Sequence, residues 1–278
     1  MENIPQFPEE ERRDRISSSC EDLATLLEGE TRLFDLVQRS CAQMQKVDEA
    51  KKLVKSLRKL LQKRPKNVSH LDRADLTEYI SHPSNSYTLL YRTTRIWPKQ
   101  LQVIKQHFSS LPKKKTKNLL NLAREAKFLD FPKEEDFTHG AINGLFNIQR
   151  FYNISTHDIA RAKILENEEN GRELMSSEEA IFIAEQAGKM KNLHFSVYWL
   201  KEAVFLAQEE GKNLKVLNNI KEKLEKAKEV HDSYIVREGF VNTILDSEKT
   251  RFDIRPFNKE LEKSEEYLHN LDVLNKIK

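Results

Sequence analysis

The sequence predicts an all-α fold, and three features carry that expectation. Breakers are scarce: 278 residues contain only seven Gly and eight Pro, too few for the tight turns of an all-β chain. Leu, Lys and Glu are the commonest residues, and all three favour helix. Apolar residues recur at helical spacing along much of the chain. The composition, 38% hydrophobic and 33% charged, allows a buried core beneath a densely charged surface. Forty-seven basic and 44 acidic residues leave a net charge of +3. That near balance argues against a nucleic-acid surface, which needs a clustered basic excess. No run of 18 apolar residues occurs, so no membrane span is expected. Cys20 and Cys41 are the only cysteines, too few for a disulfide framework.

Residues 1–18, with Pro5, Pro8 and the run EEERRDR, read as a disordered leader without the apolar stretch of a signal peptide. A long helix is expected over about 21–62, because Gly and Pro are absent from Glu30 to Arg64. Within it Leu26, Leu33, Ser40, Val47, Val54 and Leu61 recur every seven residues. Leu36, Gln43, Ala50 and Leu57 form a second row. This is a heptad seam with flaws at Ser40 and Gln43. Such a seam packs either on its own domain or against a partner helix.

The stretch KRPKNVSH, residues 63–70, ends that helix. Asp75 with Glu78 suggests a capped short helical turn. Ser81-His82-Pro83 opens the next helix, with Pro in the first turn, where its missing N–H does no harm. Leu90, Thr94, Trp97, Leu101 and Ile104 share one face of it, and Pro98 should kink or restart it. A basic loop over 109–118 and a weak helix over 119–126 follow. Gly140–Phe151 reads as helix through Ala141, Leu145 and Ile148, with Phe146 and Phe151 beside that stripe. A short helix starts at Ser155 or Thr156, and a charged linker over 166–174 marks a domain boundary. Ser176 with Glu179 forms a capping box. Two helices with Ala184, Ala187 and Gly188 on the crossing face resemble one tetratricopeptide unit. Leu217, Ile220, Leu224 and Ala227 build a third helix, and Leu261, Leu268 and Leu271 a last one.

His82, Pro83, Asn85, Tyr87, Leu89, Arg92 and Trp97 match in spacing a segment of the prolyl 4-hydroxylase alpha subunit. GAINGLFNIQRFYNISTHDIA resembles a second segment of that family, and SSEEAIFIAEQAGKMKNLHFSVYWLKEAVFLAQEEG resembles the start of its peptide-substrate-binding region, including Trp199. The resemblance covers roughly residues 20–210 well and 211–270 poorly. It implies a leader over 1–18, a helical dimerisation domain over 19–165 and a degenerate tetratricopeptide-like peptide-binding domain over 174–278. The family's iron, 2-oxoglutarate and ascorbate chemistry belongs to a jelly-roll domain with no counterpart in these residues. A dimer seam of Leu26, Leu33, Val47, Val54 and Leu61 follows from the resemblance. So do partners of two kinds: alpha-type chains and a disulfide-isomerase-type beta subunit. The endoplasmic reticulum lumen is the implied compartment.

Two features of the residues temper the enzymatic expectation. His70-Leu71-Asp72 has the His-x-Asp form of an iron ligand pair, but it falls in an expected loop without strands around it. No metal or cofactor is therefore assigned to this chain, and no catalytic residue. The family's groove for proline-rich peptide rests on tyrosines. Their positions fall here on Gly188 and, by an ungapped match, on Lys223, Lys226 and Glu229. Charged side chains offer no flat face for a proline ring, so weak or lost polyproline binding is expected. Phe195, Tyr198 and Tyr234 are the aromatic candidates for a replacement surface. The functional expectation is a non-catalytic dimerisation and peptide-binding module of procollagen-proline 4-dioxygenase type. The alternatives are a cytosolic tetratricopeptide-like scaffold and a fragment of a full-length active subunit. If the seam joins two chains, Leu33→Asp combined with Val54→Asp converts dimer to monomer, as read by light scattering.

Overall fold

The computed structural model describes residues 19–42, 47–61, 71–108, 131–163, 174–237, 256–263 and 268. Among them every regular element is helical. The chain divides into two compact units, residues 1–144 with 161–174 and residues 145–160 with 175–278.

In the first unit the expected 21–62 helix is present as two helices, α1 (Cys20–Ala42) and α2 (Val47–Leu61). In one continuous helix Leu33 and Leu57 would stand roughly 36 Å apart at 1.5 Å per residue. Instead both are buried in one cluster with Phe34, Val37, Leu61, Trp97 and Ile104, and α2 packs against α1. Leu33, Leu57 and Leu61 of the heptad rows thus sit in the unit's own core, with Leu36 and Val54 packed against it. α1 starts on Ser19, whose hydroxyl accepts the Asp22 N–H at 3.2 Å. α3 (Arg73–Ser81) is pinned to α1 by Arg73. Its guanidinium reaches Glu21 Oε2 at 2.8 Å, the Glu21 carbonyl at 2.6 Å and Thr25 Oγ1 at 2.8 Å. The cap of α3 lies three residues earlier than the sequence suggests: Asp72, not Asp75, is the N-cap, and its carboxylate accepts the Asp75 N–H at 2.9 Å. Asp75 donates to the cap and does not itself serve as one.

His82 closes α3 and caps α4 (Pro83–Tyr91), its Nδ1 accepting the Ser84 N–H at 3.3 Å. Asn85 Nδ2 donates back to the Tyr79 carbonyl at 2.8 Å, and Ser86 Oγ donates to the Ile80 carbonyl. These side chains satisfy the last carbonyls of α3, which have no partner within their own helix. His82, Pro83 and Asn85 therefore build a corner between two helices.

Pro98 does not break the chain. A π-helical segment, Arg92–Ile96, joins α4 to α5 (Trp97–Phe108), and the Trp97 N–H bonds to the Arg92 carbonyl, five residues back. Proline lacks an N–H and crowds the carbonyl four residues before it, so a wider turn there relieves the strain. Thr93 and Thr94 hydroxyls donate to the Leu89 and Leu90 carbonyls at 2.9 and 2.6 Å. The wide turn also has a geometric result. Residues five apart lie about 140° apart around an α-helix, but come round to the same face in the wider π turn. Arg92 and Trp97 thus share a face, and both reach Glu30 of α1. Arg92 Nε and Nη2 grip the two Glu30 oxygens at 2.8 and 2.9 Å, and Trp97 Nε1 donates to Oε1 at 2.9 Å. Glu30 and Trp97 are 0% exposed and Arg92 1%. A second π-helical segment, Asp136–Ile142, packs on α4, with the Phe137 ring 5.4 Å from that of Tyr87.

In the second unit α6 (Asn143–Tyr152, from Leu145 on) and α7 (Thr156–Ala160) pack with α8 (Ser177–Lys189), α9 (Leu193–Glu209) and α10 (Leu214–Arg237). The linker expected at 166–174 lies, but for Leu174, outside the described residues. The α6–α7 stretch groups with this unit because its side chains bind α9. Phe146 stacks on Phe195 at 4.8 Å, Trp199 Nε1 donates to Gln149 Oε1 at 3.0 Å, and His157 Nδ1 lies 3.2 Å from Glu202 Oε2. Phe151, expected beside the apolar stripe of α6, is instead 65% exposed.

The Ser176–Glu179 capping box forms as the sequence predicts. α8 and α9 end alike. The Asn192 N–H reaches the Ala187 carbonyl at 2.8 Å, and the Lys212 N–H reaches the Ala207 carbonyl at 3.0 Å. The residues before them, Lys191 and Gly211, take φ of 60° and 64°. This is the Schellman closure, which Gly adopts freely and Lys191 adopts against its side chain. Glu210 then holds the N-terminus of α8, accepting from the Ser177 N–H and Oγ at 2.7 Å each.

His194 lies against Phe195, with ring centroids 4.3 Å apart. Burial, then the charges of Arg150 and His231, lower its pKa from 6.5 to about 3.

Two outcomes are expected. Arg92→Met leaves the Glu30 carboxylate buried with one donor, and should cost about 3–5 kcal/mol in urea denaturation; a loss under about 1 kcal/mol would contradict the ion pair's role. For His194, the unfolded chain binds a proton below pH 6.5 that the folded chain refuses down to about pH 3. Stability should therefore fall as pH drops through that window, by on the order of 3 kcal/mol from this group between pH 7 and pH 4. His194→Gln should flatten the dependence of melting temperature on pH, and an unchanged slope would remove His194 as the cause.

Candidate functional site

The aromatic candidates sit in different environments. Phe195 is 2% exposed, sandwiched by Phe146 and by the Arg150 guanidinium, 5.4 Å from its ring centroid. It is a core residue and not part of a surface. Tyr198, half-buried on α9, meets the edge of Phe257 at 5.9 Å. Tyr234 is half-buried near the end of α10.

Charged side chains link α8 to α10 and to the turn before it. Lys223 Nζ donates to Glu185 Oε1 at 2.7 Å, and Lys212 Nζ donates to Glu178 Oε1 at 2.6 Å. The hydrogen bond to Glu178, its largest influence, raises the Lys212 pKa. Lys226 and Glu229 are exposed. A Cβ built on Gly188 would lie 3.6 Å from Ser196 Oγ, so this position faces α9 and leaves room for the helix crossing.

A distinct notch lies where α9 and the C-terminal part of α10 receive the segment 256–258. The Asp232 carboxylate, 4% exposed, accepts the Phe257 and Asn258 N–H groups at 2.8 Å each, and lies 2.9 Å from His231 Nδ1. The Phe257 ring is 4.6 Å from the His231 ring, and Lys201 Nζ stands 4.6 Å from its centroid. Burial, and then Lys228, lower the Lys201 pKa; burial lowers that of His231, against the pull of Asp232.

The other expected site residues are engaged within the fold. Leu26, Leu33 and Leu61 are buried within the single chain, Val54 is half-buried, and the side chain of Val47 lies outside the described residues. Leu33→Asp would therefore disrupt the unit's own core before it could report on pairing. His82, Pro83, Asn85, Arg92 and Trp97 hold the α3–α4 corner and the Glu30 ion pair. The Asp72 carboxylate of the His-x-Asp triplet is spent on a helix cap, and His70 lies outside the described residues. Cys41 is buried, which pushes its thiol pKa up. Among the described residues no group of three or more His, Cys, Asp or Glu is placed to hold a metal ion, and no helix is long and apolar enough to cross a membrane.

Sequence reasoning misses Glu30, Gln149, His231, Asp232 and Phe257. Glu30 had a signal: it interrupts the apolar stripe Leu26, Leu33, Val37 on its own face of α1. Gln149 lies inside the block that resembles the family, but nothing local ties it to Trp199. Asp232 and Phe257 are 25 residues apart, and neither stands in a periodic pattern.

A family model described as prolyl 4-hydroxylase alpha-subunit, N-terminal region, matches residues 19–166. The match includes the first two blocks singled out in the sequence and stops before the third. Neither the curated proteins nor the solved structures give a match to the chain. Arg92, Trp97 and Glu30, which lie within the matched residues, are buried together in the first unit. By its match over more than half its length, the chain belongs to the prolyl 4-hydroxylase alpha-subunit N-terminal region family.

Proposed function

We propose that this chain is a protein-interaction module of the prolyl 4-hydroxylase alpha type, one that binds protein segments and does not itself hydroxylate them. The observation that carries this reading is the make-up of the second unit. Its helices α8, α9 and α10 follow one another as tetratricopeptide-like hairpins do, and the Pro256-Phe257 segment rests against two of them. Helical arrays of this kind present surfaces for peptides rather than reacting groups. The partners that fit are alpha-type chains, a disulfide-isomerase-type beta subunit and segments of client proteins, in the endoplasmic reticulum lumen.

Polyproline is a poor fit for the face between α8 and α10. A polyproline helix docks on flat aromatic rings. Here the ion pairs Glu185–Lys223 and Glu178–Lys212 cross that face, and neither offers a flat ring. A ligand would have to break these pairs and desolvate both partners without offering hydrogen bonds in return.

Calorimetric titration of the full chain with a (Pro-Pro-Gly)-repeat peptide tests this. No saturation is expected up to about 1 mM, an affinity weaker than about −4 kcal/mol. Saturable binding in the low micromolar range would overturn the reading of this face.

A further inference from the structure

Residues 256–258 are held in a manner suited to reading a peptide. The Asp232 carboxylate takes two consecutive backbone N–H groups, those of Phe257 and Asn258. Two successive N–H groups reach one carboxylate because the chain bends at Phe257 and Asn258; these contacts recognise a bent main chain whatever its side chains, and bonds to a carboxylate are among the stronger hydrogen bonds. Identity is read at Phe257, whose ring meets His231, Tyr198 and the Lys201 ammonium. A cation above an aromatic face selects an aromatic side chain over an aliphatic one. Pro256 is buried; its fixed φ lowers the ordering cost, and its missing N–H leaves Asp232 to the two residues that follow. Past this point the segment turns outward. Asn258, Lys259 and Glu260 are exposed, and a local bond from the Glu260 N–H to Asn258 Oδ1 at 3.0 Å closes the turn.

The side chains that grip Phe257 and Asn258 are Tyr198, Lys201, His231 and Asp232, each of which carries a polar group. Such side chains suit a contact that can open, because each group can be hydrated when the segment leaves. We propose that this notch is a recognition site for a Pro-aromatic-polar segment, filled by the chain's own residues 256–258 and able to take the same sequence from a protein partner in their place. The proposal rests on the reading of the second unit as an interaction module and names its ligand class.

A labelled peptide, DIRPFNKEL (residues 253–261), titrated by fluorescence anisotropy tests it on the full chain. In the unmutated chain the tethered segment competes at an effective concentration in the millimolar range. Phe257→Ala weakens that competitor, so the peptide should bind this variant at least about tenfold more tightly than the unmutated chain. Adding Asp232→Asn should remove the gain. Equal binding to the unmutated and Phe257→Ala chains overturns the proposal, and so does loss of helical circular dichroism in Phe257→Ala, which would make the segment a fixed part of the core. Hydrogen exchange on the unmutated chain gives an independent reading. The amides of Phe257 and Asn258 should open well before those of α9, and exchange of both only through global unfolding counts against the notch. The polyproline titration run alongside keeps the two readings apart: tight polyproline binding sinks the account of the α8–α10 face and leaves this one standing.

Discussion

A single buried carboxylate, that of Glu30, sets the terms for the first unit. An ionised group out of reach of water costs several kcal/mol unless its oxygens are satisfied. Two donors must arrive on one side of the same helix, at the same depth. Arg92 supplies a planar fork and Trp97 a single N–H. The π turn between them is the device that aligns the two, and Pro98 is the residue that favours that turn. The α3–α4 corner, built by His82, Pro83 and Asn85, sets where the helix that carries them begins. Arg92 and Trp97 are therefore tied to one electrostatic requirement, and His82, Pro83 and Asn85 to the corner from which their helix starts.

The second unit solves a related problem with neutral groups. Trp199 donates its indole N–H to Gln149, and Gln149 in turn donates to Thr156 at 3.0 Å. A large aromatic side chain is buried whole because its one polar atom has a partner. The helix ends are closed by the chain's own backbone and by Ser176, Glu179 and Glu210, so the hairpins need little from outside to stay formed. What their surfaces offer is mostly charge, and the buried Asp232 carboxylate holds the bend at Phe257 and Asn258.

Much of this architecture is legible in the sequence. Helix content follows from the scarcity of Gly and Pro, and the capping box at Ser176 from residue types three apart. The Ser81-His82-Pro83 helix start is also legible, and in the structure His82 caps that helix. Features that depend on residues distant in sequence are not legible. The heptad rows of 26–61 are the same whether the helix meets a partner or turns back on itself, because periodicity records which face is buried and not what buries it. The π turn has no period of its own to detect. Phe257 stands outside any stripe, and only the fold brings it to Tyr198 and His231.

The Glu30–Arg92 pair spans 62 positions of chain. A half-assembled unit with α1 collapsed and α4 still undocked would leave an unneutralised acid in an apolar setting. Such intermediates are penalised, and ordering is pushed toward an all-or-none event. Contacts of this sequence separation also carry a large loop-closure entropy, which slows the search for the native arrangement. The same carboxylate that locks the finished structure thus acts as a checkpoint on the route to it, tolerating no assembly in which its distant partner is missing.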